Sequence, residues 1–114
     1  MTEITINDIP KLSFNKYNHL HWSKKKVFKD TLKLILLSST RSRFKGGYEL
    51  QFNFTFKGRR LDTINVVHYC KIIEDFLFLQ DKDNRQICIN VEKGKENRCV
   101  IYLLHLSGES KRCY

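Results

Sequence analysis

The sequence predicts an α+β fold: a single small domain in the order β-α-β-α-β-β, with two helices packed on a small mixed sheet. Three observations predict it. Tyr48 to Lys57 alternates apolar and polar residues without a break, the period of a strand with one wet face. Two longer stretches, 22–38 and 63–79, repeat their apolar residues at helical spacing. Two β-rich runs then close the chain, Ile87 to Val91 and Arg98 to Leu104. With 114 residues there is material for one core and not two.

Each element follows from its residues. Glu3 to Asn7 is short and β-branched, a first strand. Asp8 to Leu20 reads as a polar, aromatic loop around the one proline, Pro10. The helix over 22–38 has Ser23 as a candidate N-cap, with Val27, Phe28, Leu32, Ile35 and Leu36 as its expected buried face. Lys25, Lys29 and Lys33, at i, i+4 and i+8, form a basic ridge assigned to the opposite side. Ser39 to Gly47 is a turn-rich loop carrying Arg41, Arg43 and Lys45, and Gly46-Gly47 suits a tight entry into the strand over 48–57. In the second helix Val66, Tyr69, Cys70, Ile73 and Leu77 face the core, while His68, Lys71 and Asp75 share the outward face. Asp81-Lys82-Asp83-Asn84 is a turn by composition, and the last two strands are expected to pair as a hairpin. The domain is expected to span 1–106, followed by a polar tail over 107–114.

Composition narrows the function classes. The formal net charge of +9 points to a polyanionic partner, most commonly nucleic acid. The longest apolar run, Leu34 to Leu37, is far short of the roughly 20 residues that span a bilayer. The N-terminus lacks the basic start and apolar block of a signal peptide, so a soluble, cytoplasmic protein is expected. A membrane-surface role is disfavoured on the expectation that neither helix joins a broad basic face to exposed Trp or Leu. Of the four cysteines none forms a C-x-x-C pair, and buried free thiols in a reducing compartment are expected.

Against this charge the acidic residues between Asp62 and Asp83 stand out. Asp62 suits a helix N-cap, Asp75 is placed to pair with Lys71 at i−4, and Asp81 and Asp83 are ordinary in a turn. Taken together they also offer what Mg²⁺ or Mn²⁺ needs, hard oxygen ligands from separate segments, with Lys71 adding positive charge to a phosphodiester transition state.

The pattern R-R-x-D-x-x-N, then K-x-I-E-D-x-L, then D-x-D-N before an Ile-rich strand, resembles the RusA family of Holliday junction resolvases. Ile9 to Tyr17, with its proline and asparagine, is similar to the segment that follows the first strand in that family. The resemblance implies a homodimeric, Mg²⁺-dependent endonuclease that resolves four-way DNA junctions by paired symmetric nicks, with Mn²⁺ as a substitute ion. It implies Asp62, Asp75, Asp83 and Asn65 as metal ligands, with Lys71 completing the catalytic set. DNA contacts are expected from Asn15, Lys16, Lys25, Lys29, Lys33, Arg41, Arg43, Lys45, Arg59 and Arg60. Many members read D-x-D-N with the lysine three residues past the asparagine; here Asp62 and Asn65 have two residues between them and Lys71 lies six past Asn65. That departure sustains an alternative, a basic nucleic-acid-binding module of the same fold that has lost its metal site.

Overall fold

In the computed structural model, which describes residues 2–105, the chain forms a small α+β domain with three α-helices and one four-stranded mixed sheet. The elements are β1 (Thr2–Asn7), α1 (Phe14–Asn18), α2 (Trp22–Ser39), β2 (Tyr48–Lys57), a 3₁₀ turn (Thr63–Val66), α3 (Val67–Leu77), a second short 3₁₀ turn (Asp81–Asp83), β3 (Gln86–Gly94) and β4 (Arg98–His105). The expected fold class holds. The expected tail over 107–114, with Cys113, lies outside the described residues.

The sheet order is β1-β4-β2-β3, with β2 parallel to β3 and antiparallel to β4. The two last strands are therefore not a hairpin. β4 inserts between β1 and β2, and β3 pairs on the far side of β2. Residues 95–97 cross the end of β2, a gap of about 10 Å that three extended residues can span. Asn97 secures the crossing: its side chain accepts from the Lys57 N–H (2.8 Å) and its carbonyl from the Ile9 N–H (3.1 Å). The expectation failed because strand composition fixes which segments are extended, not which neighbour each one finds.

The period-two reading of β2 is borne out. Leu50, Phe52, Phe54 and Phe56 are buried, in register with Ile101 and Cys99 of β4. Ile4 and Ile6 of β1 continue the same rows. Phe52, Phe54 and Phe56 stack along the strand at centroid spacings of 6.1 and 6.0 Å, and Tyr69 of α3 lies across Phe54 and Phe56. Each phenylalanine contributes roughly 1.5–3 kcal/mol by burial. The other face of the sheet is polar, with Asn53 accepting from Gln51 (3.1 Å) and Asn90 (2.9 Å).

The helices depart from expectation in phase rather than in place. α2 starts at Trp22 with His21, not Ser23, as its N-cap; the His21 ring accepts from the Ser23 N–H. Phe28, Leu32 and Leu36 are its buried residues, while Val27, assigned to that face, is 65 % exposed. The lysine ridge lies beside the buried stripe and not opposite it, because Lys25 precedes Leu32 by seven residues, two helical turns. Lys25 and Lys33 are half-buried, and the Lys25 ammonium sits 5.5 Å from the Tyr17 ring centroid. α1, inside what reads as loop, is capped by Ser13, whose hydroxyl accepts from Lys16 N–H (3.2 Å). Five residues are too few for an apolar period to show.

Tyr69 ties this N-terminal segment down. Its hydroxyl accepts from the Leu12 N–H (2.8 Å) and donates to the Pro10 carbonyl. Tyr69→Phe leaves that amide and carbonyl without their partner, and the loss is expected to cost about 1–3 kcal/mol. Urea unfolding should show a lower midpoint at an unchanged slope.

Candidate nucleic-acid interface

Parallel pairing of β2 and β3 forces the chain between them to run the length of the sheet and return. Asp62 leaves the carboxyl end of β2 as N-cap of the first 3₁₀ turn, exposed and with no side-chain capping bond. Asp81 and Asp83 come after α3, beside the amino end of β3. α3 has 11 residues, about 16 Å, and the strands are longer still. The Asp62 end and the Asp81 end are thus opposite ends of one layer.

At the Asp62 end, Lys11, Arg59, Arg60, Leu61, Asp62 and Asn65 line an open pocket of about 290 Å³. Lys11 donates to the carbonyls of Lys57 (3.0 Å) and Arg59, so the exit from β2 is held by a cation. Arg60 donates to the Val91 carbonyl (3.0 Å) at the outer edge of β3. Gly58, at φ 77°, makes the turn that presents these side chains. The Asn65 side-chain oxygen accepts from the Asn15 N–H (3.4 Å), which joins α1 to the pocket wall. Three cations and a single carboxylate line this pocket.

At the other end Lys71 lies 3.2 Å from Asp75 and 3.5 Å from Asp81. Hydrogen bonding to Asp75, its charge, and then that of Asp81 raise the Lys71 pKa. Asp81 is held below the usual carboxylate range, first by its hydrogen bond with Asp75 and further by Lys71. Beneath them Glu74 is buried and its pKa is raised by desolvation, countered by the bond it accepts from the Asn84 amide (2.9 Å). Asn84 also accepts from the Tyr48 N–H (2.9 Å), so this cluster pins α3 to the start of β2. Asp83 is exposed, beside Gly46, where a Cβ would collide with the Gln80 carbonyl oxygen.

Of the expected site residues, Lys71 and Asp75 are brought together, with Asp81, a residue expected only as part of a turn, beside them; Asp62 and Asn65 stand apart from them. Mg²⁺ takes near-octahedral oxygen ligation at about 2.0–2.1 Å. Asp62 is the one carboxylate lining its pocket, Asn65 turns its oxygen to a backbone amide, and Lys71 is paired with both Asp75 and Asp81. Among the described residues no group of three or more His, Cys, Asp or Glu is placed to hold a metal ion. Within one chain the carboxylates that stand together are Asp75 and Asp81, and both are already paired with Lys71.

The expected DNA contacts also divide. Asn15, Lys16, Lys29, Arg41, Lys45, Arg59 and Arg60 are exposed. Arg43 is exposed too, but its guanidinium stacks 4.1 Å over the Phe76 ring and so packs the loop against α3. That loop is further held by a bridge between Phe44 and Phe78. Lys11 is a pocket residue not expected as a contact from sequence, and its position four residues past β1 carried no signal. Of the thiols, Cys70 and Cys99 are buried as expected, and burial pushes Cys70 up to about 12; Cys88, on the polar sheet face, is exposed. No helix among the described residues is long and apolar enough to cross a membrane.

His68 is the sharpest correction. Assigned to the outward face, it is 4 % exposed, boxed by Phe14, Tyr17, Phe28 and Tyr69 at centroid distances of 5.8, 5.0, 5.5 and 4.3 Å. Among the described residues neither ring nitrogen has a hydrogen bond of normal length and angle, and the Leu12 backbone is the polar group close enough to act on the ring. α1 supplies the cover, which is why a wheel drawn for α3 alone misplaces it.

No protein-family model, no curated protein and no solved structure matches this chain.

Desolvation, opposed by a smaller contribution from the Leu12 backbone, lowers the His68 pKa from 6.5 to about 4. The unfolded chain takes up a proton there below pH 6.5 while the folded chain does not. The stability present above pH 6.5 is therefore lost as pH falls toward 4, by about 2 kcal/mol between pH 7 and 4.5. His68→Phe should be more stable at pH 7 by about 1 kcal/mol, because two unpartnered nitrogens are removed. It should also show a shallower fall in urea midpoint across that window.

Proposed function

We propose that this chain is a basic nucleic-acid-binding protein that engages branched DNA through its phosphates and that a single chain does not cleave it. The observation that carries this reading is the Asp62 pocket, where Lys11, Arg59 and Arg60 converge around one carboxylate at the carboxyl end of β2. Lys11 and Arg60 are each pinned by backbone carbonyls, so their charge is presented with little entropy left to lose. Phosphate contacts of this kind select by the shape of the backbone and carry no direct base readout. The net charge of +9 supplies the long-range attraction.

A second reading, the Mg²⁺-dependent junction endonuclease implied by the RusA-like motifs, is favoured by one observation: Asp75 and Asp81 stand together beside Lys71. A homodimer that set the Asp62 end of one protomer against the Asp81 end of its partner would reunite the carboxylates, and its two-fold symmetry suits a four-way junction.

Mobility shift and nicking assays on a synthetic four-way junction, with a linear duplex as comparator, separate the two. Binding to the junction is expected to exceed binding to the duplex and to fall steeply between 50 and 200 mM salt. Arg59→Ala should weaken it about five- to tenfold and lower the salt slope by about one, with no nicks in Mg²⁺ or Mn²⁺. Nicking that is abolished by Asp62→Asn would establish the second reading instead. Absence of binding at low salt would remove both.

A further inference from the structure

Trp22 and Leu37 are exposed on α2, a helix with five lysines, so the expectation that neither helix joins basic residues to exposed Trp or Leu does not hold. Nothing in the structure shows what covers that side of α2. The Asp62 pocket is different, because its uncommitted groups define the chemistry of an occupant. A carboxylate on a surface that collects phosphates opposes its neighbours unless it has a partner of its own. Among the described residues Asp62 has none: it makes no capping bond to its 3₁₀ turn and no ion pair with Lys11, Arg59 or Arg60. Lys11 is engaged by the Lys57 and Arg59 carbonyls, and Arg60 by the Val91 carbonyl. Three residues on, the Asn65 N–H donates to the Asp62 carbonyl (2.9 Å), and 3₁₀ geometry places positions i and i+3 on one side of the turn. Asn65 Oδ1 is taken by the Asn15 N–H (3.4 Å), which leaves the Nδ2 hydrogens without a partner among the described residues.

We infer that this pocket holds the base of one unpaired nucleotide of the DNA and that Asp62 makes it select guanine. The inference deepens the nucleic-acid reading and rests on it. Guanine is the one DNA base whose Watson–Crick edge carries two adjacent donors, N1–H and the N2 amino group, and these match the two oxygens of a carboxylate. Adenine and cytosine set an acceptor beside their donor, and thymine flanks its N–H with two carbonyls, so each turns a lone pair toward Asp62. The open Asn65 amide supplies a donor for guanine O6, the acceptor next to N1. Size agrees: about 290 Å³ is just under the roughly 300–1,000 Å³ of drug-sized ligand sites, room for one nucleotide and not for a paired step. Half-buried Leu61 gives the base an apolar wall, while Lys11, Arg59 and Arg60 line the same pocket and meet the phosphate. In an intact duplex this edge is occupied by the partner strand. The contact therefore exists only where pairing is interrupted, at a branch or a bulge.

The test is fluorescence anisotropy of the full chain, at low salt, with labelled duplexes that carry a single-nucleotide bulge of guanine, inosine, adenine or cytosine. The guanine bulge is expected to bind about five- to tenfold tighter than the adenine or cytosine bulge. Inosine lacks only the N2 amino group, and its bulge should bind about threefold or more below guanine. Asp62→Asn and Asp62→Ala, checked for folding by a thermal melt, should bring the guanine and adenine bulges to within about twofold of each other. Both variants should hold the adenine bulge as tightly as wild type or more so, because a negative charge leaves the phosphate surface. Equal binding of the four bulges by wild type would overturn the inference and leave phosphate binding standing, and that comparison needs no variant. A uniform loss on every bulge in the Asp62 variants would overturn it too, since that is the signature of a turn-building role. Free dGMP bound as tightly as the guanine bulge would overturn the assignment to DNA. Absence of binding to every bulged duplex would remove the nucleic-acid reading along with it.

Discussion

Parallel pairing between β2 and β3 is the constraint on which the rest of this structure depends. Two parallel neighbours cannot be joined by a tight turn, so the chain must leave one end of β2, travel back over the sheet and re-enter at the other. α3 is that return path. It covers the phenylalanine ladder of β2 with Tyr69, and in doing so it sets Asp62 at its start and Asp75 and Asp81 at its end. The same connection that builds the core separates the carboxylates. A motif that looks contiguous in sequence is thereby spread over two ends of a layer, one left basic with a single acid, the other acidic with Lys71 paired to two of its carboxylates.

What was legible in the sequence was whatever depends on local period. The alternation across Tyr48 to Lys57 and the apolar spacing of the two long helices could be read directly, because burial on one face leaves its repeat in the residues themselves. Partner choice was not legible: β3 and β4 are adjacent in the chain yet lie on opposite sides of β2, held there by Asn97, whose role depends on a neighbour forty residues away. Phase was legible only in part. Val27 and His68 were assigned to the wrong faces because a wheel assumes one partner per helix, and here α1 adds a second surface over His68. The pocket residue Lys11 left no local pattern at all, since its ammonium finds carbonyls at the far end of a strand.

α2 shows how one helix serves two masters. Phe28, Leu32 and Leu36 bury the inner stripe, and the half-buried Lys25 and Lys33 lay their aliphatic stems along its margin. The outer side of the same helix exposes Val27 and Leu34.

His68 places the remaining tension in the molecule. A phenylalanine in the same aromatic box would satisfy every packing demand without leaving two nitrogens unpartnered, so the histidine is a local departure from the consistency of the rest of the core. Its position gives the departure meaning. The cover over His68 is α1, and α1 is bound through Asn15 to Asn65 in the wall of the basic pocket. The same segment, fixed by the Tyr69 hydroxyl at Pro10 and Leu12, delivers Lys11 between them to the exit of β2. The aromatic box, the segment over it and the cationic pocket are therefore joined through one continuous stretch of chain, Pro10 to Asn15.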